Sequence, residues 1–208
     1  GSYAGFQVTT SGSSTDPITF RADDAATVSI TADNPFTPDG INVEGGDWIV
    51  IEGFTVNGRT RAGIRAVLCS HVTIRDNACE ANDFWGIFTG FCDDLLIEDN
   101  RTSNSIAEHG IYVSNSGDRP VIRGNLIVGN HANGIHMNGD ASQSGDGIIS
   151  DAVVEDNIIW NNGAGGGSGI NCDGVQSSLI RNNLVFDTHA SGISLYRIDG
   201  GGPSSGNR

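Results

Sequence analysis

The chain has 208 residues, with 30 Gly, 19 Asn, 11 basic residues that are all Arg, and a formal charge of −14. That length suits one domain with a buried core, and the scarcity of strong helix formers excludes a helix bundle. The negative charge argues against a nucleic-acid partner, no apolar run approaches the ~18 residues of a membrane span, and regularly placed Ile and Val exclude disorder.

In chain order, Gly1-Ser2 reads as a cloning remnant behind which a leader would have been removed, and residues 1–16 read as an incomplete first coil. From Pro17-Ile18 onward a repeat sets in. It continues through Gly40-Ile41, Gly63-Ile64, Gly86-Ile87, Gly110-Ile111, Gly134-Ile135, Gly169-Ile170 and Gly192-Ile193, in steps of 23, 23, 23, 24, 24, 35 and 23 residues. In phase with it stand Asn77, Asn100, Asn125, Asn157 and Asn183, each three positions after an aliphatic residue. Each unit holds three short segments of alternating polarity separated by Asn, Asp, Gly and Ser, which predicts three strands and three turns. Such segments bury nothing alone but make one aliphatic interior when stacked. The asparagines are expected in the left-handed conformation of tight turns, with amides bonding from rung to rung about 4.8 Å apart.

The sixth coil carries a surplus, divided between 139–150 and the Gly-rich 163–168. Residues 17–197 hold the repeats and 198–208 form a tail. No cap is visible at either end, which predicts either continuation in a longer solenoid or a twofold homodimer that covers an open end.

This spacing of Gly-Ile, Ile-x-x-Asn and the asparagine column resembles the right-handed parallel β-helix of the pectate-lyase-like superfamily. The resemblance covers almost the whole chain. It implies an all-β fold, a single right-handed parallel β-helix of about eight rungs, and a saccharide cleft on one strand face. The family's catalytic signatures are missing: Lys is absent, as are the Asp-Pro-His of mannuronan epimerases and the Asn-Thr-Asp of polygalacturonases. Asp93-Asp94 falls at a turn, and His109-Gly110 is a weak match to a Gly-His-Gly.

Alternation places Ile41, Ile64, Ile87, Ile111, Ile135, Ile170 and Ile193 inward, so the next residue of each strand points outward. One outer face of the middle coils then gathers Trp85, Phe88, His109, Tyr112, His131, His136, Asn138, Asn171 and Asp173, with Arg65 below and His189 above. Rings and a few placed polar groups suit a saccharide groove. His136 beside Tyr112 would serve as base and acid in β-elimination or C5 epimerisation of a uronic acid, with His109 and Asp173 in support, and Arg65 would clamp a carboxylate. Asp140, Asp146 and Asp151 in the long loop are candidate Ca²⁺ ligands, although their spacing matches no EF-hand. Cys69 and Cys92 stack on adjacent rungs within disulfide reach, whereas Cys79 and Cys172 fall on buried rows. A bridge there would fit an exported protein, extracellular or at the cell surface. Two readings stay open: a carbohydrate-active β-helix that binds and cleaves or epimerises an extracellular uronate-type polysaccharide, and a non-catalytic solenoid, either saccharide-binding or a structural fragment of a larger surface protein.

Overall fold

Each coil of the chain gives one strand to each of three parallel sheets. The computed structural model describes residues 1–23 and 27–208. The first sheet runs from Ser2–Ala4 to Leu184–Phe186 and the third from Ile18–Arg21 to Leu179–Arg181. The second, which carries the site, stacks Phe6–Val8, Ile41–Glu44, Ala62–Val67, Trp85–Gly90, Ile111–Ser114, Ile135–Asn138, Ile170–Asp173 and Ile193–Tyr196. The result is a right-handed parallel β-helix of about eight turns, with no α-helix among the described residues. Pairing keeps strict register, Ile87 beside Ile64 and Ile111, then Ile135 and Ile170. These isoleucines are fully buried, and the row loses its cover only at the last rung, where Ile193 is 47% exposed.

From Gly40 to Gly192 the glycine before the isoleucine enters the second sheet. Pro17-Ile18 is not part of this row, because Ile18 pairs with Ile49 in the third sheet and Gly5-Phe6 lies beneath Gly40-Ile41. A Cβ on Gly86 would lie 2.7 Å from the Gly110 carbonyl oxygen and 2.8 Å from Thr102 Cβ. That steric limit, repeated from Gly40 to Gly169 and relaxed at Gly192, makes the Gly-Ile period.

The asparagine column lies inside the turn from third to first sheet. Asn100, 1% exposed, donates from Nδ2 to the carbonyls of Ile74 and Glu98 and to Asn125 Oδ1. Its own Oδ1 accepts from the backbone N–H and side chain of Asn77. The left-handed residue is not the asparagine, as expected, but the one before it: Asp76, Asp99, Gly124, Asp156 and Asn182 all have positive φ. The reason is division of labour. The exposed residue reverses the chain, and the asparagine behind it turns inward to pair backbone groups that water cannot reach.

A second buried column follows in the turn from first to second sheet. Asn82 Oδ1 accepts from Arg59 N–H, Asn130 Oδ1 from Ser105 N–H, and Asn162 Oδ1 from Asn130. It sits five residues after the first column and is visible in the sequence once the offset is sought.

Outside the third sheet, stacked neighbours alternate in charge up the whole helix: Arg21, Glu52, Arg75, Glu98, Arg123, Glu155, Arg181. Contacts of 2.7–2.8 Å join Arg75 to Glu52, Arg123 to Glu98 and Arg181 to Glu155. Each exposed pair adds little stability. The alternation instead penalises slippage by one rung, which would set like charges face to face.

Cys69 and Cys92 form a disulfide between adjacent rungs, with Cα atoms 4.7 Å apart. Cys79 and Cys172 are buried free thiols, and burial pushes both up to about 12. The terminal rungs are less bare than the sequence suggests. Phe6 packs on Phe20 and Phe54, with centroids 5.3 and 5.8 Å away. Residues 198–208 fold back so that Ser205 pairs with Gln176 and Ile180 N–H donates to the Arg208 carbonyl.

Replacing the Asn100 amide strands several buried partners at once. Asn100→Ala should lower stability by about 2–4 kcal/mol, whereas Asp99→Gly at the adjacent left-handed position should stay within about 0.5 kcal/mol. Paired chemical melts measure both, and equal losses would refute the division of labour.

Candidate functional site

On the outer face of the second sheet, Arg65, Phe88, Tyr112, His136 and Asn171 stand directly above one another. Rung spacing makes their rings touch. Tyr112 stacks on His136 with centroids 4.9 Å apart and planes 11° off parallel, and Phe88 meets Tyr112 edge-on at 5.4 Å. Trp85, at the strand's entry, packs 4.6 Å from Phe88 and 5.8 Å from Tyr112. All four are only partly buried. Beside them a pocket of about 200 Å³ opens between Glu44, Arg65, Leu68, Phe88 and Phe91.

His109, in the turn ahead of Ile111, tucks beneath this row. The Asn133 backbone N–H donates to His109 Nδ1 at 3.1 Å. A nitrogen that accepts carries no proton, so the neutral ring holds its hydrogen on Nε2. That hydrogen faces His136 Nδ1 at 2.9 Å, with the Glu108 carboxylate 3.4 Å away. His136 Nδ1 is therefore also an acceptor, and its hydrogen sits on Nε2, which is buried without a partner. Burial holds His109 well below the usual histidine range, with the neighbouring His136 adding to the effect, and pushes His136 down to about 4. Burial also raises the Tyr112 hydroxyl, which accepts from Asn138 Nδ2 at 3.2 Å. At neutral pH the cluster is uncharged, and the backbone of Asn133 fixes both tautomers.

The other residues singled out from sequence are placed differently. Arg65 is not a free clamp, because its guanidinium bonds Asn42 Oδ1 at 2.8 Å and Glu44 Oε2 at 3.0 Å. Asp173 is buried and accepts from the backbone N–H groups of Ile198, Asp199 and Gly200. It therefore anchors the returning tail and is withdrawn from the ring cluster. Asn171 accepts from Ser194, His131 lies on the wall formed by the Gly-rich loop, and His189, two rungs above His136, bonds Asn161 of the preceding coil. The three loop carboxylates do not converge. Asp140 caps Ser142, Asp146 caps Ile148, and Asp151 occupies a separate left-handed turn. Among the described residues no three His, Cys, Asp or Glu side chains are grouped to hold a metal ion.

A family model described as "Periplasmic copper-binding protein (NosD)" matches residues 5–147. None of the curated proteins matches the chain. Similar solved structures include the pectate lyase Pel9A, at 15% identity and TM-score 0.64, covering 94% of this chain and 60% of that one. An alginate lyase from Paenibacillus sp. str. FPU-7 shares 19% identity, TM-score 0.59, with 95% and 88% covered. The A-module of the Azotobacter vinelandii mannuronan C-5 epimerase AlgE4 shares 16% identity, TM-score 0.64, with 87% and 56% covered. The chain thus spans less than two thirds of the pectate lyase and of the epimerase module.

Because folding depresses the His136 pKa from about 6.5 to about 4, the neutral form is favoured in the folded state. Its contribution is complete above the unfolded value and is lost as pH falls from about 6.5 through 4, up to roughly 3 kcal/mol. Urea melts at pH 7 and 4.5 should show a smaller acid loss in His136→Phe than in wild type. An identical loss would mean that His136 titrates normally.

Proposed function

We propose that this chain, which belongs to the NosD family of parallel β-helix proteins, binds a uronate-type polysaccharide along the outer face of its second sheet and does not cleave it. The observation that carries the reading is the line of part-exposed rings from Trp85 and Phe88 to Tyr112 and His136, on successive rungs and continuous with the pocket beside Arg65. Rings offer flat apolar surface to the C–H faces of sugars. The fold supports a carbohydrate-acting role, since the similar structures include polysaccharide lyases and an epimerase.

Abstraction of a sugar C5 proton needs a base with a free lone pair. His136 Nε2 carries a hydrogen and is buried, its Nδ1 is occupied, burial keeps the Tyr112 phenol protonated, and Asp173 is bound to the tail. These commitments favour binding over β-elimination or epimerisation. The Cys69–Cys92 disulfide supports an exported location.

The family description names copper. Copper takes thiolate, thioether and imidazole donors. Here Met137 and Cys172 are register neighbours but face the core fully buried, Cys79 is buried, Cys69 and Cys92 are bonded to each other, and His109 has both ring nitrogens engaged. His136 Nδ1 is likewise occupied, and no three His, Cys, Asp or Glu side chains are grouped among the described residues, so these donors do not fit copper and the proposed binding uses none.

Calorimetry with galacturonate and mannuronate hexasaccharides tests the reading. Tyr112→Ala should weaken binding about tenfold or more, equivalent to at least about 1.4 kcal/mol, in a protein that a parallel melt shows to be folded at the assay temperature. Ultraviolet-absorbing unsaturated products appearing on incubation with either polymer would overturn the non-catalytic assignment.

A further inference from the structure

The third sheet carries a separate concavity of about 300 Å³, lined among others by Ser14, Trp48, Val50, His71, Thr73 and Asp94. None of these residues belongs to the second-sheet row. Val50 and Thr73 are outward residues of Ile49–Glu52 and Thr73–Arg75 and make its floor. Trp48 and His71 occupy the turn from second to third sheet on consecutive coils, and their rings stack at 3.9 Å, 17° off parallel.

The turn makes this pair unusual. It demands a left-handed residue, with φ of 57° at Trp48, 53° at His71, 54° at Asp94 and 56° at Arg119 and Asp151. The two asparagine-column turns fill the equivalent positions mostly with Gly, Asn and Asp, such as Gly53, Asp76, Asp99, Gly58 and Asn104. An indole in that conformation costs of order 1–3 kcal/mol, so Trp48 is not placed there by the needs of the backbone, and His71, a residue type that visits this region more readily, supplies the second ring. Next in the column, Asp94 is held by Arg119 through bonds of 2.7 and 2.9 Å. That grip fixes a carboxylate whose oxygens retain acceptor capacity.

We propose that this concavity is a second saccharide site, independent of the second-sheet face, and that it takes a neutral pyranose residue against the Trp48–His71 wall. The apolar floor and flat wall receive the C–H face of a sugar ring, and Asp94 and the Ser14 hydroxyl receive its hydroxyls. The Asp94 carboxylate within the concavity disfavours a polyanion there. This occupant therefore differs in charge from the uronate assigned to the second sheet.

The three tryptophans of the chain report on three different places: Trp48 here, Trp85 on the second sheet, and Trp160 beside Phe186 on the first. Indole N–H resonances followed by nitrogen-15 NMR during titration with cellohexaose and mannohexaose should show a saturable shift at Trp48 and none at Trp160. The shift should persist in Tyr112→Ala. His71→Gly removes half of the wall while suiting the left-handed backbone, so it should fold with unchanged or higher melting temperature and bind about tenfold more weakly. Absence of a Trp48 shift with both sugars, or an undiminished shift in His71→Gly, would overturn the site. A still Trp85 resonance under hexagalacturonate would count against the second-sheet assignment alone.

Discussion

A coil of this chain cannot satisfy its own backbone, and that constraint shapes the rest of the molecule. In a parallel stack every N–H and C=O of a strand points along the helix axis toward another coil. In the turn from third to first sheet that ladder breaks at one residue per coil, the asparagine, while its neighbours keep their backbone bonds. Asn77, Asn100, Asn125 and Asn157 bridge the break with buried side-chain amides that pair the coil on either side, and Asn183, half-buried, ends the column. With the turns closed in this way, consecutive coils are locked at one strand spacing. The glycine bends, with a neighbouring carbonyl where a Cβ would stand, follow from the same closeness.

Fixed spacing turns a sequence position into a neighbour relation. It sets Arg and Glu in alternation along the third sheet, brings Cys69 within bonding distance of Cys92, and stacks Tyr112 on His136. The same periodicity that builds the core also builds linear arrays on the outer faces. A solenoid is well suited to hold an extended polymer for that reason. It has no deep cleft, but it has rows.

Chemistry on those rows is decided by the connections between them. His109 and His136 are 27 residues apart, and neither carries an unusual local sequence. Their ionisation and tautomers are governed by the Asn133 N–H one coil on and by the burial that stacking imposes. The same contacts that order the imidazoles remove their capacity to take a proton, which links the rigidity of the fold to the proposed preference for binding.

The repeat itself was legible in the chain, because Gly-Ile and Ile-x-x-Asn answer to local demands: a bend with no room for a Cβ, an inward aliphatic side chain, and a polar group for the turn. Inward and outward rows followed from alternation, and with them the ring residues of the candidate face and the adjacency of Cys69 and Cys92. The placement of left-handed backbone one residue before each asparagine, the withdrawal of Asp173 to the returning tail, the pairing of Arg65 with Glu44 and the Trp48–His71 stack were not legible. Periodicity reports only which side of a strand a residue takes. Which partner a polar side chain finds depends on distances between coils and on loops that break the period, and those exist only once the coils are stacked.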